Sequence, residues 1–390
     1  MKTLLEQANA MADELIAIRR HLHQNAEPGF ALTKTKEFVK TKLIELGYTP
    51  VECGKCGLYA DIGSGDSTFL LRADMDALPM KEESGVDFAC ETGAMHACGH
   101  DMHTTMLLGA AKLLKDNEDS LHGRVRLMFQ PSEETFEGAK DMIEAGVLEN
   151  PRPDAALMLH VVAGMPIPTG MVMYAPGKSS AAAADYFTIE VTGRGCHGSM
   201  PHQGVDAINA AAHILIALQE LTARELAVED EAILTIGSFH AGDAPNAIAG
   251  SATMKGTLRT YDEKVRAMLK DRISEMAPAI ASAFRAEAKV IYTSCCPTLV
   301  NDPALGEFVE KNVKELLCAD HFMQVGRGSG SEDFAYVSHE VPSVMLSVGA
   351  GNPESGYAYP QHHPQASFDE SILPIGAALL AYNAIKWGEK

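Results

Sequence analysis

The sequence predicts an α/β protein, built on a largely parallel mixed sheet with helices on both faces and carrying an inserted α+β domain. Three observations lead there. Apolar strand-like segments alternate with helical ones through the first part of the chain, which implies a mainly parallel sheet covered on both sides. A central block, 183–296, reads β-α-β-β-α-β, the order of a ferredoxin-like sandwich. The chain has 390 residues, more than a single hydrophobic core usually serves. The expected division is 1–182 with 297–390 as one domain and 183–296 as the other.

Each element follows from a local pattern. Leu4 to Leu22 has helical periodicity, and Glu37 to Leu46 is a second helix closed by Gly47. Thr68 to Ala73 (TFLLRA) reads as a buried strand and Thr104 to Lys115 as an apolar-faced helix. Arg124 to Phe129 (RVRLMF) and Asp154 to His160 (DAALMLH) are two further strands. The run Ser179 to Ala184 (SSAAAA) is small and reads as a flexible hinge, matched by a second crossing near Pro297. Strand Tyr186–Val191, helix Val205–Leu226, strands Ile233–Phe239 and Gly250–Arg259, helix Asp262–Phe284 and strand Lys289–Tyr292 make up the insert. Strand Val341–Val348 and helix Leu373–Lys386 return to the first pattern.

Composition narrows the function. Lys plus Arg number 32 against 52 Asp plus Glu, a net charge of −20, which argues against broad contact with nucleic acid or an anionic membrane. Eight cysteines in a chain of this length are too sparse for a disulfide scaffold and fit a reducing compartment. The N-terminal segment lacks the continuous apolar stretch of a signal peptide, and no 18-residue apolar run occurs. A cytoplasmic protein is expected.

The chemistry concentrates in a few short motifs. Met95 to His103, MHACGHDMH, holds five metal-capable residues, with Cys98 and His100 spaced so that both can face one way. A thiolate with an imidazole suits zinc, cobalt or manganese. Gln130 to Glu134, QPSEE, follows a strand, where open α/β sheets bind ligands. Glu133 and Glu134 read either as a ligand beside a base or as acids favouring a helix N-terminus. His160 ends its strand and on the residues alone is more readily a satisfied core or edge histidine than a ligand. In PQHHP, Pro-flanked backbone orients His362 or His363. In RADMDALP, Asp76 is placed to accept the second N–H of a ligating imidazole.

Two patterns mislead. Gly193 to Gly198, GRGCHG, matches a dinucleotide-binding loop, but Pro201 interrupts the helix that should follow. Cys53-Gly54-Lys55-Cys56 has no second ligand pair to complete a zinc knuckle. G-x-S-x-G, the mark of a serine nucleophile, is absent.

Taken in order, RRHLHQNAEPGF, RADMDALP, MHACGHDMH, QPSEE, His160, HGSMPH and the terminal HHP resemble one family over nearly the whole chain. The sequence is similar to the co-catalytic metallopeptidases and aminoacylases related to carboxypeptidase G. Within them it is most like the amidohydrolase branch of hippurate hydrolases, N-acetyl-diaminopimelate deacetylases and indole-acetyl-amino-acid hydrolases. The resemblance implies a di-metal hydrolase fold in which the 183–296 insert is a lid and dimerisation domain. It implies Cys98, His100, Glu134, His160 and His362 as metal ligands and Glu133 as the catalytic base. It also implies His197 as a histidine facing the substrate carbonyl, and Asn246 and Arg259 as contacts to the substrate carboxylate. Two divalent ions per chain are implied, manganese or zinc first, with cobalt or nickel as alternatives. One departure is that peptidase relatives carry a metal-binding His where this chain has Asp74.

The expected function is hydrolysis of the amide bond of N-acyl amino acids by a homodimer, with no nucleic-acid or membrane partner. The rival readings are a dipeptidase or carboxypeptidase of the same family, a non-catalytic ligand-binding scaffold, and a zinc-stabilised structural protein built on the C-x-x-C.

Overall fold

In a computed structural model, residues 3–177 and 179–390 are described. The chain divides into two compact units, one comprising Met1–Ser180, Val300–Arg327 and Glu332–Lys390, the other Ala181–Leu299 with Gly328–Ser331.

The first unit is organised by strand Thr68–Asp74, whose seven residues are all buried. A strand buried on both faces reads as a continuous apolar run, which TFLLRA is. It pairs in parallel with Arg124–Gln130 on one side and Ala155–Val162 on the other. The sheet continues in both directions, in the order 51–53, 57–63, 124–130, 68–74, 155–162, 343–349, 172–174, 322–324. Strand Gly57–Gly63 runs antiparallel to 124–130, and Val172–Tyr174 antiparallel to Ser343–Gly349, so the sheet is mixed around a parallel centre. In this register Asp74 lies beside Gln130, and His160 beside Ser347, at the carboxyl ends of neighbouring strands. That edge is where an open α/β sheet presents a site.

Helix His100–Asp116 is buried along most of its length and packs against helix Leu373–Gly388. The approach is close because Gly376 carries no side chain, a Cβ there falling 1.8 Å from the Met106 sulfur.

The second unit is a four-stranded antiparallel sheet in the order 287–296, 183–192, 251–260, 232–241. Numbered along the chain within the unit, that is 4-1-3-2, the ferredoxin-like arrangement. Helices Ala207–Glu220 and Glu263–Ala283 enclose a core of Phe187, Ile189, Ile214, Leu258, Leu269 and Ile273.

Three local expectations differ from the structure. Leu4 to Leu22 is two helices, Leu4–Asn9 and Ala12–Gln24: the first opens on a Thr3/Glu6 capping box and ends at Ala10, whose N–H donates to the Glu6 and Ala8 carbonyls. The helix expected from Glu37 begins at Thr33, held there by the Glu27 carboxylate, which accepts from the Lys34 and Thr35 N–H groups at 2.9 Å. A cap supplied from outside the helix leaves no local signature. The run Ser179 to Ala184, expected as a flexible hinge, holds the boundary between the two units at Ser180/Ala181, but Ser180 to Ala184 are buried and strand Ala183–Thr192 starts within it.

Leu71, fully buried at the centre of the parallel sheet, tests this assignment of the core. Leu71→Ala should destabilise the first unit by about 2–5 kcal/mol, read as a lowered denaturant midpoint. A shift below about 0.5 kcal/mol would place the core elsewhere.

Candidate metal centre and active site

The site is assembled at the carboxyl edge of the parallel strands. Gly99 joins two of its residues in a left-handed turn, φ +84°, and a Cβ there would fall 2.4 Å from Val161 Cγ2. Glycine is the residue that meets both demands. The turn leaves Cys98 on the loop and starts helix His100–Asp116 at His100, so both side chains face the same space.

Hydrogen bonds decide which ring nitrogens are free. His100 Nδ1 donates to the Asp76 carbonyl oxygen at 2.9 Å, which leaves the Nε2 lone pair outward. His160 Nδ1 donates to the Val161 carbonyl at 2.6 Å and turns its Nε2 to within 3.6 Å of Cys98 Sγ. His103 is consumed at both ends: Nδ1 donates to Asp74 at 2.6 Å, and Nε2 accepts from the Val161 N–H at 2.9 Å. Of the two histidines in HHP, His362 brings Nε2 to 3.3 Å from Cys98 Sγ and 3.4 Å from Glu134 Oε1. His363 stacks on Tyr359 and accepts the Gln365 N–H. His362 has φ +64° and its N–H donates to the Ala97 carbonyl, which aims its ring.

Glu133 and Glu134 complete the group, 3.8 and 3.9 Å from His100 Nε2. The Asp76 carboxylate accepts both their backbone N–H groups, at 2.9 and 3.2 Å. Asp76 thus takes the second N–H of His100 through its main-chain oxygen, while its carboxylate, 3.6 Å from the same nitrogen, fixes the Glu133–Glu134 turn.

Two of these donors test whether the residues suit a cation. His100 Nε2 is buried without a hydrogen-bond partner and faces Glu134 Oε1 across 3.9 Å, while that oxygen has His362 Nε2 at 3.4 Å. An unpaired buried polar atom is costly, and a cation between the two groups would satisfy it. Burial pushes the Cys98 thiol up to about 12, so it becomes a thiolate when a cation compensates the charge. Burial pushes Glu134 up too, but His362 and His100 outweigh it and hold the carboxyl below the usual range. Glu133 goes the other way. Burial and then the Glu332 and Glu134 carboxylates raise it well above that range, so it binds a proton readily. The donor set fits one or more divalent ions.

Further residues support this arrangement without a motif to announce them. Arg72, fully buried, binds Asp74 at 2.5 Å and Glu332 and Asp333 at 2.9 Å each, while Asp333 also accepts from Gln130 and the Ala139 N–H. The Asp333 N–H in turn reaches Glu133 Oε1 at 3.4 Å. The available signal was an arginine inside a run that reads as a wholly buried strand, which demands buried counter-charges.

The remaining sequence candidates lie in the second unit. GRGCHG forms no nucleotide loop but a short ribbon, Cys196–His197 paired with Ala247–Ile248. His197 and Asn246 are neighbours there, since the Gly198 N–H donates to the Asn246 carbonyl at 2.8 Å. His197 Nδ1 accepts the Ser199 N–H, so a neutral ring carries its proton on Nε2. Arg259 is not with them. It lies eight residues along strand Ser251–Thr260 from the strand's first residue, about 26 Å, with its guanidinium on Tyr186. Cys53 and Cys56 donate to different carbonyls, Met142 and Phe30, and neither belongs to a candidate metal group among the described residues.

The model of peptidase family M20/M25/M40 matches residues 70–386. The chain belongs to that family. It is 36% identical over 392 residues to IAA-amino acid hydrolase ILR1-like 4 of Arabidopsis thaliana, covering 98% of this chain and 88% of the relative. It is 36% identical over 400 residues to N-acetyl-L-cysteine deacetylase of Bacillus subtilis, covering 98% and 91%. A solved structure of a putative aminohydrolase from methicillin-resistant Staphylococcus aureus superposes with TM-score 0.91 at 33% identity, over 98% of both chains. The YXEP protein of Bacillus subtilis, described as a dinuclear metal binding peptidase, gives 0.81 at 28% identity, over 98% and 99%.

A thiolate ligand has a spectroscopic mark. Loading the protein with Co²⁺ should give a sulfur-to-metal charge-transfer absorption in the near ultraviolet, lost in Cys98→Ser and unchanged in Cys53→Ser. The reverse pattern would move the metal to the C-x-x-C.

Proposed function

We propose that this M20 enzyme is a metal-dependent amidohydrolase that cleaves N-acyl amino acids to a carboxylate and a free amino acid. The observation that carries the reading is the buried His100 Nε2, without a hydrogen-bond partner, facing Glu134 Oε1 and Glu133 Oε2 across 3.9 and 3.8 Å. The similarity to an N-acetyl-L-cysteine deacetylase and to IAA-amino acid hydrolases supports the substrate class.

Cys98, His100, Glu134, His160 and His362 would hold two divalent ions, manganese or zinc by the chemistry of the donors. When bound, these ions supply Lewis acidity that lowers the pKa of water and polarises the amide carbonyl. Glu133 accepts the proton of the attacking water and then delivers it to the leaving amine. Its raised proton affinity suits both halves of that task. Asp76 acts behind it, keeping the Glu133–Glu134 turn in place. His197, with its proton on Nε2, is a donor for the developing oxyanion, a contribution of roughly 3–4 kcal/mol for such a group. Asn246 and Arg259 are assigned to the substrate carboxylate. Asn246 precedes the short strand Ala247–Ile248 and Arg259 lies near the far end of strand Ser251–Thr260, so a single second unit would not bring both to one carboxylate. A homodimer through the exposed edge strand Ala232–Ala241, where Ile233 is 59% exposed, is part of the same reading.

Glu133→Gln separates base from ligand. It should retain its metal by elemental analysis while hydrolysis of N-acetyl and N-benzoyl amino acids falls about 10²–10⁴-fold. Full activity in a metal-loaded Glu133→Gln protein would remove Glu133 from the mechanism.

A further inference from the structure

The motif RRHLHQNAEPGF has no part in the chemistry above, yet it wraps the back of the site. Its first half lies on helix Ala12–Gln24. Arg19 and His23 are each 2% exposed there, an unusual depth for two cationic side chains. Both point at Asp101, the residue after His100. Arg19 Nε donates to Asp101 Oδ2 at 2.7 Å and His23 Nδ1 to the same oxygen at 2.8 Å.

His23 reaches a second carboxylate with its other nitrogen, Nε2 to Glu82 Oε1 at 2.9 Å. Ionised carboxylates only accept, so both ring nitrogens donate and the ring is an imidazolium. Burial works against that charge, and Asp101 and Glu82 outweigh it. Glu82 in turn accepts the Cys90 N–H at 2.8 Å, tying down the irregular segment between Leu78 and Met95, whose ends are bridged to each other. Arg19 also reaches Glu370 at 3.3 Å, and Phe88 lies under its guanidinium at 4.7 Å.

The second half of the motif holds the other loop of the site. The Glu27 carbonyl accepts the Ala77 N–H at 2.9 Å, next to Asp76, and Pro28 bridges to Ala77. The segment thus grips the chain one residue after Asp76 and one residue after His100. The orientation of the His100 ring depends on those two points together, because its Nδ1 proton goes to the Asp76 carbonyl.

We infer that Arg19 and His23 are positioning residues for the metal site, clamping Asp101 so that Cys98 and His100 are held in ligating geometry before any ion arrives. They touch neither substrate nor ligand and act through the backbone of the HDMH turn. Partners of this kind fix ring orientation and typically change metal affinity about 10–100-fold when removed. The inference rests on the metal-site reading proposed above.

The test uses full-length protein, stripped of metal and titrated with Co²⁺, following the sulfur-to-cobalt absorption and comparing wild type with His23→Gln and Glu82→Gln. Binding by His23→Gln should weaken about tenfold and by Glu82→Gln about threefold, with a shifted band and an unchanged far-ultraviolet circular dichroism spectrum. Wild-type protein that gives no thiolate–cobalt band overturns the metal-site reading itself. Variants that bind cobalt as tightly as wild type, with the same band, overturn the clamp alone. Failure of both variants to fold also overturns it, since the network would then serve stability and not the site.

Discussion

The structure depends on one electrostatic imbalance. At the carboxyl edge of the parallel sheet, Glu133, Glu134, Asp74 and Asp76 converge with Glu332 and Asp333 behind them, and all but Glu134 are nearly or wholly inaccessible to solvent. Arg72 is the fully buried arginine among them and is already committed to three of the carboxylates. Burying like charges this way is unfavourable unless cationic charge is supplied. Divalent ions at the Cys98, His100, Glu134, His160 and His362 donors would supply it, and much of the surrounding architecture keeps those donors apart from alternative partners.

That separation is achieved by giving each nearby group a fixed occupation. His103 is sealed between Asp74 and the Val161 N–H, so it does not compete for the metal. The second nitrogens of His100 and His160 are tied to main-chain carbonyls, which sets the tautomer of each and leaves Nε2 to ligate. Asp76 is taken up by two backbone N–H groups. Glu133 shares a raised proton affinity with Asp76, Glu332 and Asp333, but it is the one of these that faces His100 Nε2, and the same crowding of carboxylates that strains the site would suit it to carry a proton.

Much of this was legible in the chain. TFLLRA, RVRLMF and DAALMLH announce strands because buried parallel strands need unbroken apolar runs, and the β-α-β-β-α-β order gives the second unit its topology. The dense MHACGHDMH and QPSEE motifs mark the site because ligand-type residues rarely cluster by chance at strand ends. What escaped is what depends on distant partners. The start of helix Thr33–Glu45 is set by Glu27, outside it. On the residues alone, without the family resemblance that implies His362, the choice of His362 over His363 needs the positive-φ turn, and Asp76 acts through both its carbonyl and its carboxylate, which no one-dimensional pattern separates. Glu332 and Asp333 sit in a short SEDF segment whose local reading is an exposed loop, and only Arg72, some 260 residues earlier, draws them inside.

The central claim is that cation binding at this edge is what makes the protein a hydrolase of N-acyl amino acids. Elemental analysis of stripped and reloaded protein, run alongside hydrolysis of an N-acetyl amino acid, tests it most directly. The account predicts about two divalent ions per chain at full activity and loss of both together on chelation, with recovery on reloading. Undiminished hydrolysis by protein holding fewer than about 0.1 ion per chain would contradict it.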